Sequence, residues 1–194
     1  MNIRTANEND KKQLYSLWNE AFGDSDEVID MFYKSVIKAD NTVLAEEDGR
    51  VISALYLIKA EITVNKKDYK AYYIYAAATD KKYRRRGVMG KLLEFCSALS
   101  EKRNVDYLFL HPETEKLYSY YAKNGFVTAF YENNGSHDGV VKWGKEVISL
   151  DRMLNEGETT EEKTDDKPRK TGMIKRTNAN APEVQNALMG ITLE

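Results

Sequence analysis

The hydrophobic positions along the chain switch between two spacings, in an order that predicts a mixed α/β molecule. Ile3-Arg4 reads as the start of a short strand. Asn7 then offers an N-cap, and Leu14, Leu17, Trp18, Ala21 and Phe22 recur at the intervals of one helical face that Gly23 closes. Asp24 or Ser25 caps a second amphipathic helix through Val28, Ile29, Phe32, Tyr33, Val36 and Ile37. Beyond it the period shortens. Thr42 to Glu46 and Val51 to Ile62 read as strands joined by an Asp48-Gly49 hairpin turn, and residues 64–67 turn the chain into the aromatic run Tyr72 to Thr79. An antiparallel meander is the simplest arrangement of these strands.

From Gly87 the helical spacing returns, with Val88, Leu92, Phe95, Cys96 and Leu99 on one face of a helix over 87–102, followed by a buried strand from Val105 to Leu110. Strand, crossover helix and strand in this order make a parallel pair with a right-handed crossover. Phe126 to Tyr131 reads as a further strand, residues 133–139 as a turn, and Val140 to Leu150 as the returning strand, with Trp143 as a core or interface anchor. Asn155 to Lys170 then holds many charges, one proline and no large apolar residue. That composition predicts a charged, flexible linker over 151–170 between a domain over 1–150 and a short segment over 171–194. Within the last segment Thr171 to Thr177 reads as a short strand, and Pro182 opens a helix through Met189.

Bulk composition narrows the partners. A chain of 194 residues suits one core with an appendage. The net charge of -2 and a pI of about 5.9 give no overall field for polyanions, which argues against a nucleic-acid partner despite one local basic turn. The single cysteine, Cys96, cannot form an intrachain disulfide and reads as a small core residue. Together with a polar N-terminus and no apolar run of membrane-span length, it points to a cytoplasmic protein without a membrane partner. The sequence suggests no metal site and leaves homo-oligomerisation open.

The candidate chemistry begins at Tyr83-Arg84-Arg85-Arg86-Gly87-Val88-Met89-Gly90, set between the predicted strand and helix. A helix start carries unpaired N-H groups and a partial positive charge. Gly87 and Gly90 let a bulky anion approach that backbone, and three guanidinium forks add charge, so the loop predicts a phosphate or pyrophosphate site. A solvated basic turn whose glycine merely starts a helix would look the same in isolation. Neither a P-loop nor a dinucleotide fingerprint is present.

These residues resemble the acetyl-CoA loop of the GNAT superfamily of N-acetyltransferases, [Arg/Gln]-x-x-Gly-x-[Gly/Ala], with Met89 standing where Gly or Ala is usual and Gly90 one residue late. The Tyr-Arg-Arg-Arg-Gly form is similar to the branch of the enhanced-intracellular-survival aminoglycoside acetyltransferases. A second segment, His111 to Phe126, resembles the superfamily's strand end and closing helix with Tyr121-Ala122-Lys123-Asn124-Gly125-Phe126. The resemblance covers about residues 1–131. It implies a mixed central sheet of six to seven strands with a splayed parallel pair, flanked by about four helices. It also implies acetyl-CoA held by Ala77, Ala78 and Thr79 of the central strand and by Arg84, Arg85, Arg86, Gly87, Val88, Met89 and Gly90 of the loop. The acceptor would be a primary amine of a small molecule or peptide.

Acetyl transfer to an amine needs a polarised carbonyl, a neutral amine and a proton for the leaving thiolate. Backbone N-H groups of Ala76 to Ala78 serve the first need by resemblance, and Tyr121 matches the family's acid. Tyr118, one turn earlier on the same face, is the alternative. For the base, relatives place a glutamate on the central strand, which Tyr72 to Thr79 lacks. His111, Glu113, Glu115 or water remain candidates, and an imidazole titrates near neutrality. A non-catalytic CoA-binding module of the same fold, or an RNA contact through Arg84 to Arg86, are the other readings.

Overall fold

Short local signals set many of the element ends. The computed structural model describes residues 1–132, 135–155, 168–191 and 193. Both hairpins use two-residue turns with both central residues left-handed, Asp48 (φ 51) with Gly49 (φ 75) and Asn65 (φ 50) with Lys66 (φ 65), the geometry that matches strand twist. Gly23 ends the first helix at φ 78, and Ser25 and Thr114 cap the helices that follow them. Nine strands and five α-helices result among the described residues, more than the six to seven strands and four helices expected. The chain divides into two compact units, Met1–Ile58 with Tyr73–Leu99, and Lys59–Tyr72 with Ser100–Glu194. No helix among the described residues is long and apolar enough to cross a membrane.

The first unit orders β1 (Asn2–Thr5), β2 (Thr42–Glu47), β3 (Arg50–Val64) and β4 (Lys67–Thr79), with β1, β2 and β3 antiparallel. Helices α1 (Lys11–Phe22), α2 (Asp26–Ser35) and α3 (Val88–Lys102) accompany them. Leu14 and Leu17 of α1 pack with Ala6, Leu44, Val51, Ala54 and Ala78, while Trp18 lies 5.3 Å from Phe32, 4.9 Å from Tyr56 and 5.7 Å from Tyr75 between ring centroids. The helical periodicity therefore faces the sheet as read.

In the 3-10 turn Glu8–Asp10 that leads into α1, Asn7 and Asp10 form a capping box, and Arg4 bonds both Asp10 oxygens at 2.7 and 2.8 Å and Glu46 at 2.6 Å. The hydrogen-bonded Arg4 guanidinium holds the Asp10 carboxyl below the usual carboxylate range, although burial opposes this. Asp10→Asn is expected to cost about 2 kcal/mol near pH 7, read as a lower urea midpoint. A depressed carboxyl pKa stabilises the fold above the unfolded value and loses that effect as pH falls from about 4 toward the folded value. The wild-type advantage should fade in acid; equal midpoints at neutral pH would rule this role out.

The second unit holds the remaining parts of β3 and β4 with β5 (Tyr107–Leu110), β6 (Val127–Glu132), β7 (Gly139–Trp143), β8 (Arg169–Arg176) and β9 (Ala187–Leu188), plus α4 (Glu115–Ala122) and α5 (Lys145–Leu154). Pairings run β3-β4-β5-β8-β6-β9-β7 and return from β7 to β3, a closed ring that leaves fewer edges to pair with other chains. Phe109, Phe130 and Trp143 pack at its centre, and the Trp143 indole donates to the Met189 carbonyl at 2.8 Å.

Four expectations for this region change. Val140 to Leu150 is not one strand, because Gly144 ends β7 and starts α5. The helix expected from Pro182 to Met189 is absent; the segment is irregular apart from β9, whose carbonyls and amides serve neighbouring strands instead. Residues 151–154 complete α5 rather than opening a linker, and 156–167 lie outside the described residues. Thr171 to Thr177 is largely strand as expected, yet it is no appendage: β8 lies between β5 and β6, antiparallel to both.

Candidate functional site

The basic loop is built from the end of β4, where the backbone departs from a regular strand. Ala76 has φ 44, a left-handed conformation that non-glycine residues seldom adopt, and such a residue inside a strand interrupts the regular ladder. Beyond it Ser53, fully buried, donates to the Ala78 carbonyl at 2.7 Å. With that single proton committed, the 2.8 Å contact between Ser53 and Thr79 hydroxyls runs with Thr79 donating. Ala77 and Thr79 remain half-exposed on this pinned strand end.

Asp80 is the hinge pin that sequence reading passed over. It is 5 % exposed, its N-H donates to Ile52 O at 2.9 Å, and its carboxylate accepts from Arg50 at 2.6 Å and from the Lys82 N-H at 2.8 Å. An aspartate that ends a strand and caps the next turn was the available signal. Arg84 folds back so that Nε donates to Thr79 O at 2.9 Å, leaving its terminal N-H groups for another acceptor. The Arg86 guanidinium lies 5.1 Å from the Tyr83 ring centroid.

Arg85 (φ 64) and Gly87 (φ 74) are both left-handed, so the loop curls around its own amides before α3 begins. Among the described residues the N-H groups of 85–90 reach no other backbone carbonyl, as expected for a helix start, and Arg84, Arg85 and Arg86 have no acidic partner. All three arginines and Gly87 are exposed, and a Cβ added to Gly87 would meet nothing within 4 Å. Val88, Leu92 and Cys96 meanwhile anchor α3 through its buried face, and Met89 and Gly90 stay half-buried. The loop is thus an exposed, cationic turn with main-chain donors at the start of α3, the kind of place where an anion can be held.

The two candidate catalytic side chains belong to the second unit. His111 follows β5, and its Nδ1 lies 2.6 Å from the Thr171 carbonyl of β8. A carbonyl only accepts, so Nδ1 carries the proton and the lone pair of the neutral ring is on Nε2. Tyr121, on α4, is 8 % exposed, with ring contacts to Tyr120 and Phe126. Burial, then the negative fields of Tyr120 and Glu113, push its phenol up to about 12. Tyr118 is also pushed up to about 12, chiefly by burial, and its buried hydroxyl has no hydrogen-bond partner among the described residues. Glu115 accepts from Lys170 Nζ at 2.8 Å in an exposed ion pair.

Residues 2–129 match the family model of the acetyltransferase (GNAT) domain. Among solved structures, the chain is similar to Eis1 of Mycobacterium abscessus (TM-score 0.66, 11% identity, 83% of this chain and 50% of that one). It is similar to the GNAT family N-acetyltransferase YhbS of Escherichia coli, solved in complex with CoA (0.60, 15%, 96% and 87%). A GCN5-related N-acetyltransferase of Anabaena variabilis also aligns (0.57, 19%, 67% and 32%), so the chain spans about a third of that protein's length. No curated protein matches the chain.

Proposed function

The chain belongs to the GNAT acetyltransferase family, and from that premise we propose that it is an acetyl-CoA-dependent N-acetyltransferase that acetylates a primary amine of a small molecule or peptide by direct transfer. The observation that carries this reading is the loop Arg84 to Gly90, with left-handed Arg85 and Gly87, main-chain donors that reach no backbone carbonyl among the described residues, and three exposed arginines beside them. We place the chain nearest the enhanced-intracellular-survival branch, on the Tyr83-Arg84-Arg85-Arg86-Gly87 form of that loop, and in the cytoplasm, on its one buried cysteine.

Acetyl-CoA supplies the activated acetyl group as a thioester. The loop amides and arginines hold the anionic end, and the strand end from Ala76 to Thr79 orients the reactive end. His111 Nε2 takes the amine proton. Tyr121 donates its O-H to the sulfur as negative charge develops there. Full transfer from a phenol near 12 to a thiolate near the cysteine value of about 8.5 would be uphill by roughly 5 kcal/mol, so the hydrogen bond, rather than the proton itself, is the contribution assigned. Tyr121→Phe is expected to lower kcat about ten- to a hundredfold with CoA affinity unchanged. Unchanged turnover would remove Tyr121 from the chemistry.

The deciding experiment is a panel of amines and aminoglycosides with acetyl-CoA, read as free-thiol release. A non-catalytic module is the second reading, favoured by the absence of a carboxylate from Tyr72 to Thr79 of the central strand and by Glu115 being paired with Lys170. It predicts CoA binding by calorimetry without thiol release on any amine. Absence of CoA binding at millimolar cofactor would end both.

A further inference from the structure

The second unit contains a cavity of about 460 Å³ with no part in the acetyl-transfer reading. Its floor is one face of the β5-β8-β6 sheet. Tyr107 lies opposite Arg176, and Val127 opposite Ile174, so all four side chains leave the sheet on the same side. Its roof is the segment 182–185. The roof is held down by the Tyr107 hydroxyl, which donates to Pro182 O at 2.7 Å, and by N-H groups of Gln185 and Asn186, which both donate to Asp138 at 3.0 Å.

Two features of the wall point to a ligand. The first is Val127, which is 58 % exposed although it belongs to a strand in the middle of the unit. The second is a pair of opposite charges, Arg176 and Glu183, the only charged residues lining the cavity among the described residues. Arg176 and Glu183 form a loose ion pair at 3.9 Å, beyond hydrogen-bond range, in which the Glu183 side chain is largely exposed at the rim. Arg176 donates one N-H to Ala181 O at 3.1 Å, which fixes the guanidinium in place and leaves further donors in its fork.

A cavity with an apolar floor and one separated charge pair at its wall has a complement in which both charges sit on adjacent groups of one carbon that also bears an apolar chain. We propose that it binds a free α-amino acid with an aliphatic or aromatic side chain, the carboxylate on Arg176, the ammonium on Glu183, and the side chain against Val127, Ile174 and Tyr107. Its volume falls within the range of small-molecule sites, about 300–1,000 Å³. A polyphosphate would face Glu183, and a peptide terminus would supply only one of the two charges.

Titration calorimetry of the full chain with leucine and phenylalanine tests this, alongside the matched amines and carboxylic acids and a dipeptide. Saturable binding of the free amino acids is expected, weakened at least about tenfold by loss of either charge on the ligand or by Arg176→Gln or Glu183→Gln. Val127→Trp fills the cavity from an exposed position and should abolish binding while circular dichroism stays native. No heat at millimolar amino acid, equal binding of the singly charged analogues or the dipeptide, or full binding by Val127→Trp would each overturn the proposal. Thiol release with acetyl-CoA is scored separately, so failure here leaves the acetyl-transfer reading standing.

Discussion

Truncation after Asn155 is expected to leave the second unit unable to fold, with loss of its cooperative transition in thermal or urea unfolding. The segment removed includes β8, whose residues Thr171 to Ile174 are all buried and which fills the space between β5 and β6. Met173, Ile174, Val184, Ala187 and Met189 would be lost from the core together. Removing one such aliphatic side chain costs about 2–5 kcal/mol, and a whole domain has only about 5–15 kcal/mol to lose. Two buried strands would also lose their ladder partners.

A graded version is Gly172→Ala. A Cβ there would press on Met189 Cε, which can swing aside, and would lie 2.8 Å from the Leu110 carbonyl oxygen, which cannot. The expected loss is about 1–3 kcal/mol. A truncated chain that still unfolded cooperatively with the full wild-type transition would show β8 to be dispensable. Because Thr171 O also orients His111, the truncation should abolish turnover even in any fraction that stays soluble.

Gly87→Asp is expected to weaken CoA binding about ten- to a hundredfold, 1.4 to 2.8 kcal/mol, with little loss of stability. The position is open, so the side chain meets no atom, and aspartate tolerates a left-handed backbone better than most residues. Gly87 precedes the first residue of α3, and its carbonyl accepts from Lys91 at 3.2 Å, the place of an N-cap. An aspartate here would set a carboxylate beside the same amides that a phosphate needs, and so add like charge next to it. Gly87→Ala carries only the backbone strain, about 1 kcal/mol, and separates that effect from the charge. Calorimetry of both variants against wild type decides it. Equal CoA affinity for wild type and Gly87→Asp would move the anion site elsewhere.

Local patterns carried much of what is seen. The caps at Asn7 and Ser25, the Asp48-Gly49 turn, the amphipathic faces of α1 and α2 and the strand-loop-helix order around Gly87 all depend on residues within a few positions of each other, where steric limits and side-chain spacing act directly. The strand-turn-helix order of the loop was therefore readable before any strand was paired. Its supports were not. Ser53 and Arg50 reach Thr79 and Asp80 from 26 and 30 residues away, and neither has a local signature.

The C-terminal segment shows the boundary most sharply. Sequence alone determined that a charge-rich stretch runs to Lys170 and that the residues after it, Thr171 to Thr177, favour an extended chain. Only the tertiary structure decided that this strand enters between β5 and β6, that its carbonyl selects the His111 tautomer, and that residues 182–189 serve neighbouring strands instead of coiling into a helix. The reason is physical. A helix satisfies its backbone within its own sequence, whereas a strand's hydrogen bonds and buried face belong to whichever partners the fold brings beside it.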